Sequence, residues 1–159
     1  MTTAARPASS HGAWHKRQRG MSLLELMVVV AIVTIIASIG YPSYMSQITR
    51  ANRTAAKSFL LQVADRQEQF FANNKRYAND LTNLGYGANG FMIDDQGAMT
   101  AAGADNRIYR VQINAATPVT YTIAAVPQLR QAGHDTQCLT LTLTHAGQRG
   151  QTGPSTDCW

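Results

Sequence analysis

The fold of this chain is decided by the stretch GMSLLELMVVVAIVTIIASIGYP, which occupies residues 20–42. Glu25 is its only charged residue, and residues 26–49 contain no Asp, Glu, Lys or Arg. A helix over residues 23–41 would be about 28 Å long, close to the hydrocarbon thickness of a bilayer. A lone strand of the same residues could not satisfy its backbone groups in lipid. The stretch therefore predicts a membrane-spanning helix.

The first twenty residues carry the positive charge of the chain. They hold four basic residues and no acid, and the net charge of the whole sequence is +5. Residues 21–159 are therefore close to neutral. A basic segment beside a span is retained in the cytoplasm, which places residues 43–159 on the far side of the inner membrane. A nucleic-acid-binding face would need its surplus of charge in the folded part, so nucleic acid is not expected as a partner.

The residues after the span predict a second, amphipathic half of the helix. Pro42 lacks an amide hydrogen, so we expect a kink or local loosening near Gly40 and Pro42. From Ser43 to Asn73 apolar residues recur mostly at three- and four-residue steps, which indicates a helix with one face to bury. It can continue the span as one rod of about 50 residues. The apolar positions are Ile48, Ala51, Ala55, Phe59, Val63 and Phe70.

The C-terminal half of the sequence predicts a small antiparallel sheet. Residues 74–106 are rich in Gly, Asn, Asp and Ala, which favours an irregular connection. Strands are predicted at 108–115, 119–126 and 138–144, and 148–152 would add a short edge strand. Leu139, Leu141 and Leu143 alternate with threonine and should face the helix. The predicted fold class is α+β, with a long N-terminal helix packed on three or four strands.

Cys138 and Cys158 are the two cysteines of the chain. In a cytosolic protein they would be free thiols, whereas beyond a membrane span an oxidising compartment favours a disulfide. Such a bond would close a loop of about 20 residues and contribute on the order of 3 kcal/mol.

The position of Gly20 defines the organisation of the chain. A conventional signal peptide is cut after its apolar region and removes it. A cut after the small residue Gly20 would instead keep the apolar helix on the mature protein. We therefore divide the chain into a cleaved leader at 1–20, an apolar helix at 21–42 and a globular domain at 43–159.

The junction RGMSLLE, residues 19–25, resembles the type IV prepilins. The resemblance implies that prepilin peptidase cuts the Gly20–Met21 bond and that Met21 becomes N-methylated. Glu25 then stands at the fifth mature position, as it does in that family. Met21 occupies the place where phenylalanine is most common. GYPSY at 40–44 resembles the helix break of type IV pilins. Further stretches resemble PilE-type minor pilins: RTAAKSFL at 53–60, EQFF at 68–71, RYANDL at 76–81, LGY at 84–86, and the ending with Cys138, Gly147 and the terminal Cys158-Trp159.

This resemblance implies a structural role without enzymatic activity. The chain would be a minor pilin needed for assembly of a type IV pilus, and hence for adhesion and twitching motility. The implied partners are other pilin subunits, prepilin peptidase/N-methyltransferase, the pilus assembly machinery and the inner membrane. Three alternatives stay open: a competence-type DNA-receptor pilin, a type II secretion pseudopilin, and an ordinary single-pass anchored domain, which would leave the Gly20 junction unexplained. The pseudopilins commonly lack a C-terminal disulfide, so Cys158 argues against that alternative.

Glu25 is unusual because a carboxylate among leucines and valines is costly in hydrocarbon. The simple interpretation is that it reaches the headgroup interface from the start of the helix. The functional interpretation pairs it with the amine that cleavage creates at Met21, in the same or a neighbouring subunit. That pairing would offset desolvation and set the axial register of a filament.

Other patterns in the sequence do not indicate a ligand. Residues 85–90, GYGANG, match the dinucleotide fingerprint but lack the flanking strand and helix that it requires. The four histidines show no metal-ligand spacing, and no nucleophile–base arrangement is present. No metal, cofactor or catalytic residue is predicted.

Overall fold

The computed structural model describes residues 21–159, so the leader and its Gly20 lie outside the described residues. It contains helices α1 (Leu23–Asn74) and α2 (Leu129–His134) and a short 3-10 helix (Leu81–Leu84). The strands are β1 (Phe91–Asp94), β2 (Met99–Thr100), β3 (Arg107–Ala116), β4 (Tyr121–Pro127), β5 (Leu141–Thr144) and β6 (Arg149–Gln151). The chain divides after Ile39 into two compact units.

The described part of the first unit is the apolar start of α1. Every residue from Met21 to Ile39 is exposed. An 18-residue window of α1 has a mean hydropathy of 2.6 with none of it buried, which makes α1 long and apolar enough to cross a membrane. Nothing within the described residues covers this segment, so it requires lipid or another protein chain around it.

Helix α1 continues through Gly40 and Pro42. The helix is continuous over this region, as expected for one long rod, and a kink or local loosening near Gly40 and Pro42 stays a prediction. Pro42 removes only one donor, whose acceptor would be the Ser38 carbonyl four residues earlier. The loss of one hydrogen bond leaves the neighbouring turns intact.

The second unit, Gly40–Trp159, contains a six-stranded sheet in which all neighbouring strands are antiparallel. The strand order is β2-β1-β3-β4-β5-β6. The sheet therefore has two more strands than the largest number predicted. Strands β1 and β2 lie within residues 74–106, where the composition had predicted an irregular connection.

A tight turn accounts for the two unpredicted strands. The Asp94 carboxylate accepts hydrogen bonds from the amides of Gln96 and Ala98, and Gly97 has φ +75°. Glycine adopts this left-handed conformation without a steric penalty. The polar composition of residues 74–106 therefore reflects the turn between the two strands. The strands themselves have four and two residues and are too short to show a period of two.

The core lies between α1 and the sheet. Ala56, Leu60 and Val63 of α1 are fully buried, as are Ile123 of β4 and Leu141 of β5. Each fully buried leucine-sized side chain contributes about 2 kcal/mol relative to an exposed one. The observed packing confirms an α+β fold with the helix on an antiparallel sheet. The buried stripe of α1 begins with Thr49 and Asn52, each one residue after the predicted positions Ile48 and Ala51.

The predicted leucine face of β5 is confirmed at two of its three positions. Leu141 and Leu143 are buried, but Leu139 precedes the strand, has φ +52° and is only half-buried. β5 is shorter because Leu139 and Cys138 belong to the turn that leads into it. α2 was not predicted, since six residues are too few to show a helical period.

Candidate assembly helix and binding surfaces

Glu25 lies in the first turn of α1, and Met21 lies just ahead of that helix. Both side chains are exposed. An acidic residue in the first turn interacts favourably with the positive end of the helix dipole. Within residues 21–159 the carboxylate makes no hydrogen bond or ion pair. Its pairing with the amine of a processed Met21 stays a prediction.

The apolar half of α1 satisfies its own polar side chains. The Thr34 hydroxyl donates to the Val30 carbonyl at 2.8 Å, and the Ser38 hydroxyl donates to the Ile35 carbonyl at 2.8 Å. These bonds leave no hydroxyl of the two residues in need of water. The segment is thus suited both to lipid and to a dry interface between protein chains.

Cys138 and Cys158 form a disulfide, as expected for an oxidising compartment. Both residues are buried. The bond holds the C-terminal tail, residues 152–159, against the residues that lead into β5. The Gly153 amide donates to the Cys138 carbonyl at 3.0 Å, and the Trp159 indole donates to the Gly150 carbonyl at 2.8 Å. The tail thereby occupies a backbone acceptor of the outermost strand β6.

A buried polar network joins α1, β3 and α2. Asp135 is fully buried and pairs with Arg53, whose Nε lies 2.9 Å from Oδ1. The Tyr109 hydroxyl donates to Asp135 Oδ2 at 2.6 Å, and Gln131 donates to the Thr49 carbonyl at 3.3 Å. Because a buried carboxylate is costly without such partners, the network fixes where α2 sits on α1.

Burial raises the pKa of the Tyr109 hydroxyl well above its ordinary value, and its bond to Asp135 raises that pKa further. The phenol is therefore protonated and acts as a donor. The sequence carried no signal for this network, because Arg53 and Asp135 are separated by 82 positions.

One surface of the globular unit carries several basic side chains. We call Arg50, Arg53, Lys57 and Arg149 the basic cluster. Desolvation by burial and the charge of Arg53 lower the pKa of Lys57. The Arg149 guanidinium lies 5.7 Å from the ring centroid of Trp159. Arg50, Lys57, Asp157 and Trp159 line a concave surface there, which Arg53 also borders while paired with Asp135.

The structure brings together some of the predicted site residues and separates others. Cys138 and Cys158 meet, Gly40 and Pro42 lie within α1, and Gly20 lies outside the described residues. The glycines of residues 85–90 lie between the 3-10 helix and β1, in no strand–helix–strand unit. Within residues 21–159 no group of three or more His, Cys, Asp or Glu is placed to hold a metal.

Comparisons with known proteins place this geometry in a family. Residues 15–41 match the prokaryotic N-terminal methylation motif. Residues 42–142 match the family described as "Type IV minor pilin ComP, DNA uptake sequence receptor". The chain is a type IV pilin with an exposed apolar helix on an α+β domain. It belongs to the ComP family of type IV minor pilins, since that match covers more than half of its residues.

Curated relatives share part of the chain. The type IV major pilin PilA of Myxococcus xanthus is 34% identical over 73 residues, which are 46% of this chain and 33% of PilA. The type II secretion system core protein G of Pectobacterium carotovorum is 35% identical over 43% of this chain and 44% of that protein. The matched region thus spans less than half the length of either relative.

Two solved structures have a similar arrangement. A type IV pilin from Shewanella oneidensis superposes with a TM-score of 0.46 at 22% identity, over 70% of this chain and 97% of that one. The non-core minor pilin PilV of Neisseria meningitidis superposes with a TM-score of 0.48 at 18% identity, over 71% of this chain and 95% of that one.

Proposed function

We propose that this minor pilin is anchored in the inner membrane by α1 and later joins a type IV pilus. In the membrane stage its N-terminus is cytoplasmic and residues 43–159 are periplasmic. Prepilin peptidase cuts the Gly20–Met21 bond and Met21 is methylated. The pilus assembly machinery then transfers the subunit into the filament, where it supports assembly and hence adhesion and twitching motility.

One observation carries this proposal: the first part of α1 is apolar and exposed, and it lies within residues 15–41, which match the N-terminal methylation motif. An apolar segment of this size is not stable in water, because removing apolar surface from water is favourable by roughly 25 cal/mol for each Å². Lipid covers it before assembly, and the apolar helices of other pilin subunits cover it afterwards. Glu25 would pair with a processed amine and set the register between subunits.

Mass spectrometry of sheared, purified pili tests the proposal. We expect a peptide that begins with N-methylated Met21. Pili that contain the chain with residues 1–20 intact would contradict the processing step. Absence of the chain from pili, while it remains in the membrane, would contradict assembly and favour a pseudopilin or a permanently anchored domain.

A second candidate function is reception of DNA. It is supported by the family description, which names a DNA uptake sequence receptor, and by the basic cluster beside Trp159. Arg50 and Lys57 would contact phosphates, and the indole would stack or pack against the nucleic acid. The near-neutral charge of residues 21–159 argues against binding of nucleic acid. The expectation that nucleic acid is not a partner stays a prediction.

Fluorescence anisotropy of a labelled duplex with the full chain in detergent decides between these two expectations. If the chain is a receptor, affinity falls steeply between roughly 50 and 200 mM salt. The double variant Arg50→Gln/Lys57→Gln should lower the salt slope by about 2. The matched control Lys75→Gln/Arg76→Gln removes two exposed charges near the end of α1 and should leave it unchanged. No binding at low salt would rule out the receptor function.

A further inference from the structure

The globular unit contains a groove to which the proposed function assigns no role. α1, α2 and the start of β3 enclose a cavity of about 330 Å³. Its apolar walls come from Tyr44, Met45, Ile48 and Leu129. A concave site of this size with apolar walls and a few polar groups is typical of small-ligand and headgroup sites.

Two side chains of the apolar wall are exposed to solvent, which is energetically unfavourable. Tyr44 is 64% exposed and Leu129 is 46% exposed. Leu129 has φ +45°, a left-handed conformation that costs a leucine on the order of 1 kcal/mol. Such strain persists only where the surrounding structure maintains it. Here it presents an apolar side chain at the mouth of the groove.

The rim of the groove carries charges of both signs that form no ion pair with one another. Arg107 and Arg130 line it together with Asp95 and Asp105. The ion pair recorded among residues 21–159 is Arg53–Asp135, so these four groups make no ion pair within that range. Arginine suits a phosphate through paired N–H donors, and a carboxylate suits an ammonium group. The rim is complementary to a zwitterion that contains both.

The position of the groove along the chain points to the membrane surface. Tyr44 follows Ile39, the last residue of the apolar unit, by five residues, which is at most about 18 Å of chain. Tyrosines at the end of a span are typical of the headgroup region, and Tyr41 and Tyr44 are both exposed. A chain anchored by α1 therefore keeps this groove within reach of lipid headgroups.

We propose that the groove binds the phosphoethanolamine headgroup of a membrane phospholipid. The phosphate lies between Arg107 and Arg130, the ammonium group faces Asp95 and Asp105, and the glycerol end packs on Tyr44 and Leu129. The bound lipid holds the globular unit on the membrane surface before assembly. The inference rests on the membrane stage of the proposed function, and leaving the bilayer would require release of this lipid.

Photo-cross-linking of the full chain tests the site. p-Benzoylphenylalanine replaces Leu129, and the protein is reconstituted into vesicles of phosphatidylethanolamine and phosphatidylglycerol. We expect a phospholipid adduct by mass spectrometry. The variant Arg107→Gln/Arg130→Gln should reduce the adduct by about tenfold, because two charge-assisted hydrogen bonds are lost. The control Arg76→Gln should leave it unchanged. Vesicles of phosphatidylglycerol alone should give little adduct, since the ammonium group is absent.

Several results would overturn the inference. One is an equal yield when the photoreactive group replaces Leu61, which is exposed on α1 outside the groove. Another is an adduct that does not respond to the two arginine substitutions or to the loss of phosphatidylethanolamine. A peptide adduct from a second copy of this chain in place of a lipid would make the groove a subunit interface. Alkaline extraction separates this failure from that of the proposed function: a chain released from vesicles lacks the anchor, whereas an anchored chain without adduct lacks only the lipid site.

Discussion

At the residue scale, single polar groups carry the chemistry of this protein in two contrasting environments. Glu25 is exposed on an apolar segment that must be covered by something else, whereas Asp135 is fully buried and already has its partners. The first was evident from the sequence, because a lone carboxylate in an uncharged stretch stands out. The second was not, because its partners Arg53 and Tyr109 come from distant parts of the chain.

Replacing Glu25 tests its role in the filament. Under the proposed pairing, Glu25→Ala removes the carboxylate partner of a processed amine in a dry interface. We expect incorporation into sheared pili to fall by roughly tenfold or more, with processing at Met21 preserved. Quantitative immunoblotting of pili and membranes measures this. The control Asp65→Ala changes an exposed acid on α1 and should have no effect. Normal incorporation of Glu25→Ala would show that register is set elsewhere.

The buried phenols predict loss of stability at alkaline pH. Burial raises the pKa values of Tyr109 and Tyr121 in the folded state, and these groups ionise near pH 10 when the chain unfolds. The two phenols contribute fully to the free energy of unfolding below about pH 10. Above that pH the free energy of unfolding falls by up to about 1.4 kcal/mol per pH unit for each phenol. Unfolding is followed by circular dichroism in detergent at a series of alkaline pH values. The stability of Tyr109→Phe should decline less steeply with pH than that of the unmodified chain. A slope identical to that of the unmodified chain would contradict the predicted ionisation.

At the element scale, the C-terminal tail completes the sheet, although it forms no strand. The Trp159 indole and the Gly153 amide bind the backbone beside β6 and β5. An uncovered edge strand invites pairing with other chains, so a tail anchored there protects the edge. α1 shows the opposite arrangement, since its first unit is uncovered in the single chain. Folding of the single chain covers the sheet edge, whereas the first part of α1 is covered only by lipid or by other chains.

Close packing of the tail makes Gly153 sensitive to any side chain. A Cβ at this position would contact the Gln137 carbonyl oxygen and the backbone of Cys138. We expect Gly153→Ala to displace the tail and lower stability by about 2 kcal/mol. Gly103→Ala is the matched control, because a Cβ there meets nothing within 4 Å. Thermal unfolding and limited proteolysis of the tail measure both variants; equal stability of the two would contradict the close packing.

At the scale of the whole molecule, the disulfide joins the tail to the rest of the globular unit. Replacing both cysteines by serine opens a loop of 20 residues and should lower the free energy of unfolding by about 3 kcal/mol. It should also expose β6 and increase self-association of the full chain in detergent. Calorimetry and light scattering measure the two effects. An unchanged melting temperature would mean that the tail is held by its hydrogen bonds alone.

The apolar helix, its exceptional carboxylate, the amphipathic continuation and the α+β class were determined by the sequence alone. Each depends on local composition or on a short period, and such signals are independent of distant residues. The tertiary structure decided the six-stranded sheet, the Arg53–Asp135–Tyr109 network and the groove between α1, α2 and β3. These features arise where residues far apart in the chain meet, and their energies are those of burial and pairing, which no local pattern encodes.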